Sequence, residues 1–474
     1  MKLFGLCCAG MGAVLVAASA AVAVAEPADP LVGSPGLGDP YYPMDGNGGY
    51  YVRHYDIGID YDPPTHQLVG KARIEATAQQ GLKAFNLDFN GPPVRKVLVN
   101  GQPAGFDRNG EHELTLTPAQ TLVPLLPFTV EVEYEGPVSE SKSGKGWAFL
   151  PSGGAVVAGQ PHSARSWYPL NDTLANRATF TLTVSVPEEW DAVSIGEKTK
   201  DTVEHGRHIV TWESKDEVLG YLTMMAIDKF SYLEGERKPE GKRERIPLLS
   251  AFSPGAKDKR EYERRLPEII EFIEDLYGPY PFLNAGGVFL DLGLAASLET
   301  QTRPVYADWA GLATVVHEIT HQWWGDSTSI QQWADICLNE CFAEYTASYL
   351  WPERKNGADV DKMYRDTIAR HRDDAQYWRV PLHDAGRGHE FESVYDRGPL
   401  FMHALRRQLG DQTFFAAVRD FYLGHERRST SMAEFCTFIQ TKSATRLDGF
   451  FDAWLHGTTM PAEQYLFAGA LSVK

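Results

Sequence analysis

The sequence predicts an α+β chain of two domains, an all-β N-terminal domain followed by a mostly α-helical domain with a small sheet. Three observations carry that prediction. The chain has 474 residues, 43% of them hydrophobic and 12% aromatic, which is too long for one ordinary domain and apolar enough to bury two cores. Period-two alternation of apolar and polar residues runs from about residue 50 to about 232, the mark of strands with one covered face. Beyond a charged, turn-rich stretch around Lys238 the apolar spacing becomes helical. The chain accordingly divides into 1–25, a signal segment; 26–49, a Pro/Gly-rich linker; 50–235, the β domain; and 236–474, the helical domain.

In order along the chain, Lys2, an apolar run and Ala23-Val24-Ala25 ahead of Glu26 have the arrangement of a cleaved secretory signal. They predict a secreted, extracellular protein with no stable membrane insertion, an uncleaved anchor being the alternative. Cys7 and Cys8 leave with that segment. Residues 26–49 are dominated by Pro, Gly, Asp and Ala without periodicity, which reads as a linker or irregular arm. Alternation then places Tyr55, Ile57, Ile59 and Tyr61 on one face; Phe85, Leu87 and Phe89 follow, and Val97 and Val99 run into the turn dipeptide Asn100-Gly101. PFTVEVEYEG and ATFTLTVSVPEEW continue the pattern, predicting curved or packed antiparallel sheets. Past Lys238, Leu266, Ile269, Ile270, Ile273 and Leu276 fall at helical spacing, and Pro267 suits the start of that helix. VFLDLGL reads as a strand, 311–324 and 332–350 as helices, and further helices follow residue 396. One is opened by a capping box from Ser431 to Glu434, and FFDAWLHG ends another on glycine.

The chemistry concentrates in residues 314–345, TVVHEITHQWWGDSTSIQQWADICLNECFAEY. His317 and His321 are four apart, so on a helix both imidazoles leave one face and can clamp a metal. Glu318 beside them can reach a water at that metal without being a ligand, the H-E-x-x-H arrangement. A catalytic zinc needs a third protein ligand, and after eighteen intervening residues Glu340 supplies a carboxylate. A His-Glu-His triple can also be a solvated polar face, but Val315, Val316, Ile319, Trp323 and Trp324 predict a buried helix whose polar groups need partners. The expected cofactor is one Zn2+ per chain. Glu344, a helical turn beyond Glu340, is either an orienting partner of a ligand histidine or a solvated carboxylate. Cys337 and Cys341 lie four apart, where a disulfide is expected to require distortion. They and Cys436 are read as small buried hydrophobes, soft metal ligands being the alternative for the pair. A formal net charge of −18 argues against a nucleic-acid partner or an anionic membrane surface and fits a ligand that carries positive charge.

With these residues in view, the chain resembles the aminopeptidase N and leukotriene hydrolase family of gluzincins over most of its length past the signal. HEITHQWWGDSTS and WADICLNECFAEY are similar to the family's zinc segment, with Cys337 and Cys341 where tryptophan and glycine are usual. The resemblance implies a saddle-like β domain, a thermolysin-like catalytic domain and aminopeptidase activity on peptides with a free N-terminus. ASLETQ at 296–301 aligns with the family's Gly-Ala-Met-Glu-Asn segment, keeping only the glutamate, and implies that Glu299 binds the substrate's α-amine. VYDRGPLFMHAL implies that Tyr395 stabilises the oxyanion, and GQPHSARSWYPLND implies that Gln160 gives a second amine contact. The family's long forms carry a helical C-terminal lid, and its lack here would leave a more open cleft. Two other functions remain open on the same residues: a zinc endopeptidase or epoxide hydrolase, and an inactive binding module. The preferred first residue, the physiological substrate and the oligomeric state are not legible.

Overall fold

The structure, a computed structural model, describes residues 31–141, 146–239, 241 and 244–472. The signal segment and the first five residues of the linker lie outside them. An N-terminal β-rich domain is followed by a helical catalytic domain, as the two patterns of periodicity require. The largest sheet has eight strands in the order Glu197–Glu204, Arg207–Val218, Ala178–Pro187, Tyr50–Asp62, Gln67–Ala78, Pro127–Pro137, Val94–Val99, Gln102–Pro103. Tyr55, Ile57, Ile59 and Tyr61 all face its buried side, where period-two patterning puts them. Asn100 and Gly101 both take positive φ, +50° and +72°, which twists the hairpin turn to match its strands.

The expectation of purely antiparallel sheets is corrected at the centre of this one. Tyr50–Asp62 runs parallel to Ala178–Pro187, with Ile57 opposite Leu182. Two strands joined by a long excursion are free to run the same way, and alternation within each strand does not encode direction. Two smaller sheets flank the large one: Phe85–Asp88, Glu113–Thr117 and Gly105–Asn109 form one, and Asp191–Ser194, Met225–Asp228, Ala155–Ala158 and Gly146–Phe149 the other.

In the catalytic domain, Ser231–Arg237, Ile246–Phe252, Val288–Phe289 and Val305–Tyr306 make a four-stranded sheet, so VFLDLGL contributes only two strand residues. Leu266–Tyr277 is a helix with Pro267 in its first turn, and its predicted apolar face is buried. Two tryptophans just past its C-terminus fix the helix Leu312–His321 in place. Trp323 donates its indole N–H to the Gly278 carbonyl at 2.9 Å, and Trp324 stacks on Phe342 with ring centroids 3.8 Å apart. Phe342 belongs to the next helix, Cys337–Tyr345, so one aromatic pair sets the spacing of two helices. A third, Val394–Leu409, meets that second helix at Gly398, where an added Cβ would lie 2.7 Å from the Cys341 sulfur.

Two arginines tie the domains together. Arg177 donates to the carbonyls of Asp326 (2.6 Å) and Ser327 (3.1 Å), just past His321. Arg303 donates from the catalytic domain to the carbonyls of Ser194 (2.7 Å) and Gly196 (2.9 Å). The described part of the arm is also anchored to both domains: Tyr41 and Tyr42 donate to Asp384 (2.8 Å) and Glu390 (2.7 Å), and Asn47 donates to Asp88 (3.0 Å).

Candidate active site

His317 and His321 point from one face of their helix, and their Nε2 atoms lie 3.1 Å apart. Glu340 comes from the neighbouring helix, with Oε2 3.4 Å from each Nε2. Three donor atoms at 3.1–3.4 Å form a near-equilateral triangle. Ligands about 2.0–2.1 Å from a tetrahedral ion stand roughly 3.3 Å from one another, so the spacing fits zinc. The Glu340 Oε2 atom is buried and has no hydrogen-bond partner among the described residues, as expected of an oxygen shaped for a cation. The charges agree. Burial alone would raise the Glu340 carboxyl, but the two imidazoles bring it down to about 2. Burial would lower His321, and Glu340 lifts it to about 9. Zinc is the ion that two imidazoles and one carboxylate suit.

The other nitrogen of each ring is held as well. His317 Nδ1 lies 2.9 Å from Glu344 Oε2, and His321 Nδ1 lies 2.9 Å from the Trp324 carbonyl. Both acceptors keep the proton on Nδ1 and turn Nε2 toward the centre. Of the two readings of Glu344, this geometry is that of the orienting one.

Glu318 is 6% exposed. Burial raises its carboxyl to about 7, with the two histidines opposing and Glu299 and Glu340 adding to the rise. Glu299 is 3% exposed and sits on an edge beside the small sheet, where Leu298 and Val305 exchange backbone hydrogen bonds of 2.8 Å in both directions. Gln322, directly after His321, fixes this edge by donating to the Glu299 carbonyl (3.3 Å) and accepting from the Thr302 N–H (2.7 Å). From the β domain, Gln160 Nε2 donates to Glu299 Oε1 at 2.9 Å. Tyr395 opens onto the same space, 43% exposed, its ring 6.0 Å from that of His317. Burial of its hydroxyl and the carboxylates of Glu340, Glu299 and Glu318 hold the phenol well above its ordinary value, so it keeps its proton. These groups line one cleft of about 620 Å³, with Trp309, Phe391 and Ala296 among its walls. All seven residues singled out in the sequence therefore converge on it.

Sequence reasoning missed Gln322, whose only signal is adjacency to His321, and it misread the cysteines. Cys337 and Cys341 form a disulfide. Their Cα atoms are 4.8 Å apart, inside the range disulfides use but closer than the about 6.2 Å of a regular helix, so the bridge comes with the local distortion expected of this spacing. They are thus neither free thiols nor metal ligands. Cys436 remains a free thiol, packed against the core and pushed up to about 12 by burial.

Comparison with known proteins agrees with this geometry. Residues 52–222 match the Peptidase M1 N-terminal domain and residues 298–454 the Peptidase family M1 domain. Aminopeptidase N of Lactococcus lactis subsp. cremoris is 24% identical over 446 residues, covering 87% of this chain and 51% of that protein. Tricorn protease-interacting factor F2 of Thermoplasma acidophilum is 22% identical over 445 residues, covering 88% and 54%. The chain thus spans about half the length of these relatives. An M1 zinc metallopeptidase from Deinococcus radiodurans, 26% identical, superposes with a TM-score of 0.82 over 90% of this chain and 98% of that one. A variant of that enzyme has been crystallised with a Tyr-Ser-Ala substrate, and it covers 90% of this chain at a TM-score of 0.81. With both family domains matched in order, and the donor triangle in the second of them, the chain belongs to peptidase family M1.

Proposed function

We propose that this chain is a zinc-dependent aminopeptidase that removes the first residue of peptides with a free N-terminus. The observation that carries the reading is the Gln160–Glu299 pair beside the donor triangle. A peptide N-terminus has a pKa near 8 and is mostly cationic at neutrality. Glu299 offers it a buried carboxylate, and the Gln160 amide a second polar contact. That fixed charge sets the distance from the amine to the scissile bond, so the first bond is the one presented.

His317, His321 and Glu340 would hold the zinc, which when bound supplies Lewis acidity at the scissile carbonyl and at the attacking water. Glu318 accepts a proton from that water and passes it to the leaving amine; a carboxyl raised toward neutrality by burial is suited to both tasks. Tyr395 donates its hydroxyl proton in a hydrogen bond to the oxygen on which negative charge develops. Glu344 and the Trp324 carbonyl keep the two imidazoles aimed.

The protein is further read as exported. Lys2, the apolar run and Ala23-Val24-Ala25 support this, and a Cys337–Cys341 disulfide suits an oxidising compartment. No helix among the described residues is long and apolar enough to cross a membrane.

The test is turnover of aminoacyl chromogenic amides. A chelator should abolish it, and Glu318→Gln should lower kcat by about 10²–10⁴-fold while zinc stays bound. Undiminished turnover by the Gln variant would sink the reading.

A further inference from the structure

A second group of metal-binding side chains lies in the β domain, outside the cleft. Asp88 ends the strand Phe85–Asp88, Glu113 begins Glu113–Thr117, and the two are paired in register. His112 precedes Glu113 and is half-buried. One ligand atom from each of the three lies within 4.8 Å of the others. His112 Nε2 is 3.4 Å from Asp88 Oδ1, 3.8 Å from Glu113 Oε1 and 3.2 Å from the Met44 carbonyl of the arm.

Hydrogen bonding within the protein leaves this corner unsatisfied. Asp88 Oδ2 accepts from Asn47 (3.0 Å) and from the Asp172 N–H (2.8 Å). Asp88 Oδ1 and both Glu113 oxygens are buried with no hydrogen-bond partner among the described residues. Asp88 is 0% and Glu113 7% exposed, where an unpartnered carboxylate is costly. The nearby Arg165 and His162 both hydrogen-bond Asp45, Arg165 at 3.1 Å, and not the unpartnered oxygens of Asp88 and Glu113.

We infer that Asp88, His112 and Glu113, with the Met44 carbonyl, bind a divalent cation of the zinc or manganese class that staples the N-terminal arm to the β domain. Two carboxylates, an imidazole and a carbonyl suit those ions, whereas calcium takes six to eight oxygens. The position gives the ion a structural role. The arm residues Met44, Asp45 and Asn47 contact His112, His162, Arg165 and Asp88 here, and His162 lies two residues from Gln160. The inference does not depend on the cleft being an aminopeptidase.

The experiment uses the full chain with His321→Ala and Glu340→Gln, which removes the other metal site. Zn2+ and Mn2+ are titrated separately into chelator-stripped protein, and bound metal is measured after gel filtration together with thermal unfolding. One equivalent of either ion should remain bound and raise the melting temperature by several degrees. Adding Glu113→Gln, whose carboxylate makes no hydrogen bond, should abolish both effects, with circular dichroism showing that the stripped variant is folded. Asp88→Asn, which keeps an acceptor for Asn47, is the second variant. Retention of neither ion, or retention unaffected by Glu113→Gln and Asp88→Asn, would overturn the inference.

Discussion

Glu318 and Glu263 are buried carboxyls that both sit at about 7, but they differ in their neighbours. Glu318 stands beside two histidines of its own helix, which oppose the effect of burial and keep it able to exchange a proton. Glu263 is buried against the sheet, where burial raises it and the Ser250 hydroxyl, which donates to it, opposes the rise. The folded protein therefore keeps a proton on Glu263 that the unfolded chain releases near the ordinary 4.5. Stability from this group is complete below that pH and is lost as pH rises through about 7. Glu263→Gln keeps an acceptor for Ser250 and removes the titration. It should melt at the wild-type temperature at pH 5 and several degrees above it at pH 8; parallel pH profiles for the two proteins would contradict this. Glu344 acts only through His317. Glu344→Ala should weaken zinc binding about 10–100-fold, read by competition with a chromophoric chelator, and unchanged affinity would make Glu344 a bystander.

At the scale of elements, three helices hold the site, and their contacts are specified by very few residues. Trp324 on Phe342 sets the first pair. Gly398 sets the second, because only a missing side chain lets the Tyr395 helix approach Cys341 so closely. Gly398→Ala should cost about 1–3 kcal/mol by overpacking and lower kcat more than it raises KM, since Tyr395 and Glu340 are displaced relative to each other. Normal stability and kinetics would show that the contact yields freely. The helices themselves were legible in the sequence, as were the H-E-x-x-H spacing, the Ser431–Glu434 capping box and the helix start at Pro267, because each depends on residues within about a turn of one another. The Cys337–Cys341 bond was missed although its residues are local: the spacing was expected to require distortion, and the bridge forms with it, the Cα atoms drawn to 4.8 Å from the about 6.2 Å of a regular helix.

Over the whole molecule, the missed features join residues far apart in sequence. Direction in the central strand pair depends on how the chain returns after Tyr50–Asp62, and nothing within either strand encodes it. The arm reads as a linker by composition, yet Tyr41 and Tyr42 bind the 384–390 segment ahead of Tyr395; a Pro/Gly-rich segment shows no periodicity whether or not it is docked. An interdomain contact at the cleft, Gln160 to Glu299, spans 139 positions, and only the resemblance to a known family suggested that these two residues share a site. That contact makes the β domain part of the cleft, and under the proposed function it is what would turn a general zinc hydrolase into one that measures from a free amine. The most direct measurement is kcat/KM for a tripeptide and its N-acetylated form, with wild type and Glu299→Gln compared. The account predicts that wild type releases only the first residue of the free peptide and leaves the acetylated one intact, and that Glu299→Gln loses most of this discrimination. Equal cleavage of the blocked and free peptides by wild type would contradict it.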